Sequence, residues 1–242
     1  MVLLPWASSE RVPPSRASEL MDDPACDLDM LAGALDALSA VNRWFGGFAA
    51  IRRPIERALA GRPPGDLRLL DVGTGAGDIP EALGTRLCDA GWKPQFCLAD
   101  NHPGVLRIAR SRAPEARFVR LDAPRLPFVD DAFDIGFAGA MVHHLETDAA
   151  ARFLSELDRV SRLGWVVSDL RRGATTRLAV GFLGATIWRR NVAARHDGPA
   201  SIRRAFSRPE VDVLLSDAGL HEAVVRSGPV RWVALGGALA AR

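Results

Sequence analysis

The stretch Leu69-Leu70-Asp71-Val72-Gly73-Thr74-Gly75-Ala76-Gly77-Asp78-Ile79-Pro80 decides the fold. It begins inside a short apolar run, residues 67–72, that reads as a buried strand. Glycines at every second position then let the chain turn sharply and leave the backbone open to a ligand. A helix follows, with Ile79, Leu83 and Leu87 about one turn apart, and its free N–H groups point into the same crevice. Taken alone, the loop also fits a plain strand-to-helix turn. The surrounding pattern extends the reading. Strands are expected at 96–99, 117–121, 133–138 and 165–168, with helices at 103–112 and at 148–162, the latter turning Leu154 and Leu157 inward. Near-continuous apolar strands separated by helices imply a parallel sheet covered on both faces. Residues 221–226 and 230–235 differ: Ser227-Gly228-Pro229 is too short a link for a crossover, so they should pair as an antiparallel hairpin. The expected class is α/β, a Rossmann-like seven-stranded sheet, mostly parallel, with a C-terminal antiparallel hairpin and an N-terminal helical cover.

The rest of the chain falls outside that core. Residues 1–20 hold Pro5, Pro13, Pro14 and four serines without periodicity, and read as a flexible arm. Residues 21–65 read as the helical cover. Asp27 can cap a first helix with Leu28, Leu31, Leu35 and Leu38 on one face, ended by Gly46-Gly47. A second presents Phe48, Ile51, Ile55 and Leu59, with Pro54 near its start or at a kink. The remaining unit, 66–242, carries a helical insertion at about 174–207, including a helix expected over 174–190.

Composition excludes several classes. With 48% hydrophobic and 25% charged residues, 242 residues suffice for a packed core, against wholesale disorder. A net charge of +2 predicts no strong polyelectrolyte behaviour. Tyrosine is absent and Lys93 is the only lysine, which narrows the choice of acid–base groups. Cys26, Cys88 and Cys97 lack metal-ligand spacing and read as reduced thiols of a cytoplasmic protein, with no metal expected. No apolar run approaches the ~18 residues of a spanning helix, and the start, with Pro5 and no charged leader, is a poor signal peptide.

Two acids accompany the glycine loop. Asp100 ends the second strand and can accept both ribose hydroxyls of an adenosine; Asp122 follows the third, where an adenine amino group can be read. Each alone is an ordinary turn residue, but three strand ends together offer an adenosine site. A nicotinamide-binding turn usually reads GxGxxG around a pyrophosphate. Here the spacing is GxGxG, and the preceding Asp71 would repel a pyrophosphate but suits the ammonium of a methionine moiety. The segments LLDVGTGAGD (69–78), LADN (98–101), LDAPRLPFVDDAFD (121–134) and MVHHLE (141–146) give the chain a resemblance, over about 66–235, to the class I S-adenosylmethionine-dependent methyltransferases. The resemblance implies S-adenosyl-L-methionine as cofactor, at Asp71, Gly73, Thr74, Gly75, Gly77, Asp100, Asn101, Asp122 and Ala123. One departure stands out: where the family carries a Pro-Gly-Gly turn before the fifth strand, this chain has the shorter Ser161-Arg162-Leu163-Gly164-Trp165.

The acceptor is expected to be a small molecule, bound between the N-terminal helices, around Arg43 and Trp44, and the insertion. There Arg195-His196-Asp197-Gly198-Pro199 reads either as a hinge-like cover supplying His196 and Asp197 or as an exposed turn. The arrangement looks like that of small-molecule methyltransferases of secondary metabolism, with an oxygen as methyl acceptor. Histidine is the natural base. His143 and His144 follow the fourth strand, and Asp169 ends the fifth, expected to lie alongside. Some sugar- and phenol-directed relatives place a histidine and an aspartate there, and His143 with Asp169 fits best, leaving His144 structural. Two other readings stay open. Residues 151–210 hold twelve arginines against five acids, a balance that fits a solvated helix face, an acidic small molecule, or RNA or DNA, but no aromatic–basic alternation supports a nucleic-acid partner. A non-catalytic cofactor-binding partner subunit is the other. The protein is expected to act as a monomer or homodimer.

Overall fold

The computed structural model describes residues 10–241. Its centre is one seven-stranded sheet in the order β3-β2-β1-β4-β5-β7-β6. The strands are β1 Asp66–Val72, β2 Lys93–Asp100, β3 Arg117–Arg120, β4 Phe133–Gly139, β5 Ser161–Leu170, β6 Val224–Ser227 and β7 Arg231–Gly237. The first five pair in parallel, and β7 runs antiparallel to both β5 and β6. Strand order reverses between β2-β1 and β4, and the C-terminal strand ends there open the crevice that such a switch point creates.

Among the described residues, eight α-helices complete the fold: α1 Leu28–Trp44, α2 Gly47–Leu59, α3 Asp78–Asp89, α4 Pro103–Arg112, α5 Thr147–Val160, α6 Ala174–Ala185, α7 Val192–Arg204 and α8 Arg208–Asp217. On one face of the sheet, Ile51, Ile55 and Leu59 of α2 and Leu83 and Leu87 of α3 pack on Leu67, Leu69 and Ile135. On the other, Phe153, Leu154 and Leu157 of α5 and Leu214 of α8 pack on Leu70, Val72 and Val167. Every β1 residue from Leu69 to Val72 is buried, Asp71 included, as expected of a strand covered on both sides. Beyond the strand ends, α1, α6 and α7 form a separate apolar cluster, with Val180, Leu183, Trp188 and Ile202 packed by Ala37 and Val41.

Four expectations need correction. Residues 161–164 are not a turn. They are the first part of β5, which pairs with β4 from Ser161 onward. Gly164, at φ 133°, lies against β7 so closely that a Cβ there would sit 2.2 Å from the Gly236 carbonyl oxygen. The strand crossing takes the place of a longer turn. Residues 195–199, expected as a hinge or exposed turn, lie inside α7, because Asn191 caps that helix through the Ala194 N–H at 2.8 Å and Pro199 falls in its interior. The helix expected over 174–190 stops at Ala185. The sixth strand starts at Val224 rather than 221.

Of the arm expected over 1–20, residues 1–9 lie outside the described residues, and 10–20 are docked rather than free. Arg11 donates to the carbonyls of Arg204 (2.6 Å) and Leu145 (2.5 Å), and its guanidinium lies over the Phe206 ring. Asp197 of α7 accepts from the backbone N–H groups of Leu20 (2.8 Å) and Met21 (3.3 Å). These bonds hold the segment as a strap across the open ends of the strands.

Candidate active site

The glycine loop between β1 and α3 forms the floor of a cleft. Gly73, Gly75 and Gly77 have φ values of 72°, 56° and 76°, the left-handed region that an L side chain rarely adopts. At Gly73 space is equally decisive: a Cβ would lie 2.3 Å from Met141 Cγ. The cleft, about 310 Å³, is lined by Gly73 and Gly75, by Asp100 and Asn101 from the end of β2, by Asp122 and Ala123 after β3, and by Met141 and His144 after β4. Thus six of the nine residues expected at the cofactor line one cavity. Asp71, Thr74 and Gly77 sit behind the loop, and all three are buried.

The carboxylates differ in state. Burial raises the Asp71 pKa to about 8, opposed by the Thr74 side chain. Burial also raises that of Asp100, although the N–H groups of His102 (2.9 Å from Oδ1) and Gly75 favour its ionised form. His102 also borders the cleft, with its Nδ1 capping α4 by accepting from the N–H groups of Gly104 and Val105.

A second, smaller cavity of about 100 Å³ adjoins the first and shares Met21, Leu38, Ala140 and His144 with it. Its wall is mostly apolar: Ala34, Ala37 and Val41 of α1, Val180 and Leu183 of α6, and Trp188. Ala140, the residue between β4 and the His143–His144 turn, has φ 54°, a strained conformation at the junction of the two cavities.

Polar groups converge at this junction. His143 is buried; its Nδ1 lies 2.8 Å from Asp169 Oδ1, and its backbone N–H donates to Asp169 Oδ2 at 2.9 Å. The adjacency of β4 and β5 brings these two together. Burial would raise the Asp169 pKa, but the His143 charge and hydrogen bonds hold it below the ordinary carboxylate range. With Nδ1 committed to Asp169, the His143 Nε2 faces Glu19 Oε1 at 3.7 Å. His144 Nδ1 is 2.8 Å from Asp22. Burial opposes charge on His144, yet Glu19 and Asp22 outweigh it and raise its pKa.

Glu19 and Asp22 belong to the strap, and the sequence reading missed both; an aperiodic segment gives no periodic signal to find them. Arg204, fully buried in α7, joins the strap to the site, with Glu19 at 3.1 Å, Asp22 at 2.8 Å and the Ala17 carbonyl at 2.9 Å. Glu19, His143 and His144 are the one group among the described residues whose ligand atoms, within 4.8 Å of one another, could hold a metal ion. Arg204 already brings a positive charge to Glu19 there.

The residues expected at the acceptor are scattered. Arg43 and Trp44 are exposed and line neither cavity, Trp44 at 77%. Their neighbours Val41 and Asn42 turn inward instead, Val41 into the second cavity and Asn42, buried, against the Asp78 carboxylate (3.2 Å). His196 is exposed and bonds its neighbour Asp197. Asp197 borders the second cavity but spends its carboxylate on the strap.

Comparison with known proteins bears on this geometry. Residues 69–164 match the family model described as a methyltransferase domain. That stretch, from the glycine loop to β5, is similar to a methyltransferase domain. Among curated relatives, the demethylmenaquinone methyltransferase of Roseiflexus castenholzii is 38% identical over 115 residues, 45% of this chain and 44% of that one. The malonyl-[acyl-carrier protein] O-methyltransferase of Serratia marcescens is 32% identical over 148 residues, 58% and 54%. The matched stretch thus spans about half or less of these relatives. Among solved structures, human N-acetylserotonin methyltransferase in complex with S-adenosylmethionine superposes with TM-score 0.61 at 14% identity, covering 93% of this chain and 60% of that one. A methyltransferase from Aquifex aeolicus gives 0.55 at 19%, covering 88% and 97%. Both likenesses are of fold. Among the described residues no helix is long and apolar enough to cross a membrane.

Proposed function

We propose that this domain acts as an enzyme that transfers a methyl group from S-adenosylmethionine to an oxygen of a small-molecule acceptor. The observation that carries the reading is the pair of adjoining cavities, with His144 on the wall of both and His143, backed by Asp169, on the wall of the second. The first cavity suits the cofactor: its floor is bare left-handed backbone, and Asp100 and Asp122 supply acceptors on the side where ribose and adenine would lie. Asp71 behind the loop ionises to meet the ammonium of the methionine moiety. When bound, S-adenosylmethionine supplies a methyl group on a good leaving group, so the protein's work is placement and proton removal.

The second cavity holds an apolar acceptor and excludes water. Asp169 fixes the His143 tautomer with its proton on Nδ1, and Nε2, which faces Glu19 Oε1 at 3.7 Å, takes the acceptor hydroxyl proton. The acceptor oxygen forms the new bond to the methyl carbon as the carbon–sulfur bond breaks, and the proton leaves through His143. Arg43, Trp44 and His196, at the surface, are assigned to the outer approach, and Asp197 to holding the strap.

Methylation at carbon is a second reading, favoured by the similarity to a protein named ubiquinone/menaquinone biosynthesis C-methyltransferase from Ectopseudomonas mendocina, 32% identical over 127 residues, 49% of this chain and 48% of that one. An ionised phenol can react at oxygen or at a ring carbon, and proton removal by His143 serves both. Incubation with methyl-labelled S-adenosylmethionine and a host metabolite extract, followed by mass spectrometry, tests the proposal. A labelled O-methyl product supports it, a labelled C-methyl product moves it to the second reading, and label only in nucleic acid or nowhere overturns it. The three cysteines, all free, accord with a reducing, cytoplasmic setting.

A further inference from the structure

Arg231, the first residue of β7, borders the acceptor cavity. It is 8% exposed, and the only side-chain hydrogen bond it makes among the described residues runs from its guanidinium to Asn42 Oδ1, a long 3.4 Å. No carboxylate among the described residues lies within ion-pair distance of it. Arg204, the other buried arginine beside this cavity, shows the contrast: it is held by two carboxylates and a carbonyl. A guanidinium has five N–H donors, and a buried cation is costly to keep without a direct ion pair; here burial outweighs the more distant Asp169 charge and lowers the Arg231 pKa. A second unpartnered donor stands on the same wall, the buried Trp188 indole N–H, which has no acceptor. The cavity therefore carries unspent donors within a mostly apolar lining, since its two carboxylates, Glu19 and Asp197, are taken up by Arg204, Ser201 and the strap.

Resting on the reading of this cavity as the acceptor's, we propose that Arg231 is a specificity-determining residue that selects acceptors bearing an ionised oxygen, a carboxylate or an acidic phenol, on an apolar body. The planar fork of the guanidinium matches two such oxygens. Asn42 orients it, and because Asn42 Nδ2 also donates to Asp78 at the start of α3, the acceptor's anchor is tied to the helix behind the glycine loop.

The test is calorimetric binding in the presence of S-adenosylhomocysteine, using two matched pairs: benzoate against benzamide, and 4-nitrophenolate against nitrobenzene. The native protein should bind at least one anion about tenfold or more tighter than its neutral partner, the loss expected when a charged hydrogen-bond partner is removed. The preference should vanish in Arg231→Met and persist in Arg231→Lys. Unliganded Arg231→Met should also melt no lower than the native protein, since it removes an unpaired buried charge; a purely structural arginine would lower the melting temperature. Equal binding of anion and neutral partner by the native protein, a preference that survives in Arg231→Met, or a destabilised or unfolded Arg231→Met would each overturn the proposal. None of these readouts needs methyl transfer. Anion selection without any labelled product would sink the methyl-transfer reading alone, and a labelled product lacking an acidic oxygen would sink this one alone.

Discussion

Asp71 has its carboxyl 2% exposed at the end of β1, with burial raising its pKa to about 8 from an ordinary 3.8. Between those two values the native state keeps a proton that the unfolded chain has released, so this group's contribution to stability falls as pH rises from about 4 to about 8 and is flat above. Asp71→Asn should therefore leave stability unchanged near pH 3.5 and raise it increasingly toward pH 8 relative to the native protein; urea unfolding across that range checks the difference. The same variant should bind S-adenosylhomocysteine more weakly, because the amide cannot match the ligand's ammonium. His143 gives a second prediction at this scale. General base catalysis is worth about 10²–10⁴-fold. Turnover at saturating cofactor should fall by at least about tenfold in His143→Ala and in Asp169→Asn, with the double variant little worse than either, since the two act as one unit. Full activity in both would leave positioning as the whole mechanism, and loss in His144→Ala alone would move the role one residue along.

At the scale of elements, the strap and the sheet edge each make a claim. Asp197 in α7 holds the N–H groups of Leu20 and Met21, and the strap in turn places Glu19 and Asp22 beside the histidines. Asp197→Ala leaves those donors without their charged acceptor, a loss of roughly 1.5–3 kcal/mol. Limited proteolysis should then cut the chain between residues 10 and 25 faster than in the native protein, and an unchanged cleavage rate would show that Arg204 suffices to hold the strap. Where β5 meets β7, Gly164→Ala should destabilise the protein by about 3 kcal/mol or more in urea, because the added Cβ meets backbone that no side-chain rotation can clear. This close crossing is why the shorter segment at 161–165 still delivers Asp169 to His143.

Across the whole molecule, what the sequence made legible follows the physics of each part. The sheet was readable because strands buried on both faces are mostly apolar, so 67–72 and 133–138 stand out even though Asp71 and Asp134 interrupt them. The first cleft was readable because its residues sit at strand ends: Asp100 closes β2, the glycine loop starts one position past β1, and Asp122 lies two past β3. His143 with Asp169 was readable for the same reason, once β4 and β5 were taken as neighbours. The acceptor side was not. Glu19, Asn42 and Arg231 come from a strap, a helix end and the last strand, and only tertiary packing brings them together. The exposed Arg43 and Trp44 drew attention away from Val41 and Asn42, whose helical phase turns them inward. The run at 195–199 looked like a turn because Gly-Pro usually breaks a helix, yet packing of α7 on α6 and on the strap overrides that preference.

The claim on which the account rests is that this cleft binds S-adenosylmethionine through the ends of β1, β2 and β3. Calorimetric titration of S-adenosylhomocysteine into the native protein and into Asp100→Ala tests it most directly. The account predicts saturable one-to-one binding to the native protein, no binding of NADH, and about ten- to a hundredfold weaker affinity in the variant, as loss of a charged partner for the ribose hydroxyls entails. Unchanged affinity in Asp100→Ala, or tight binding of NADH by the native protein, would contradict it.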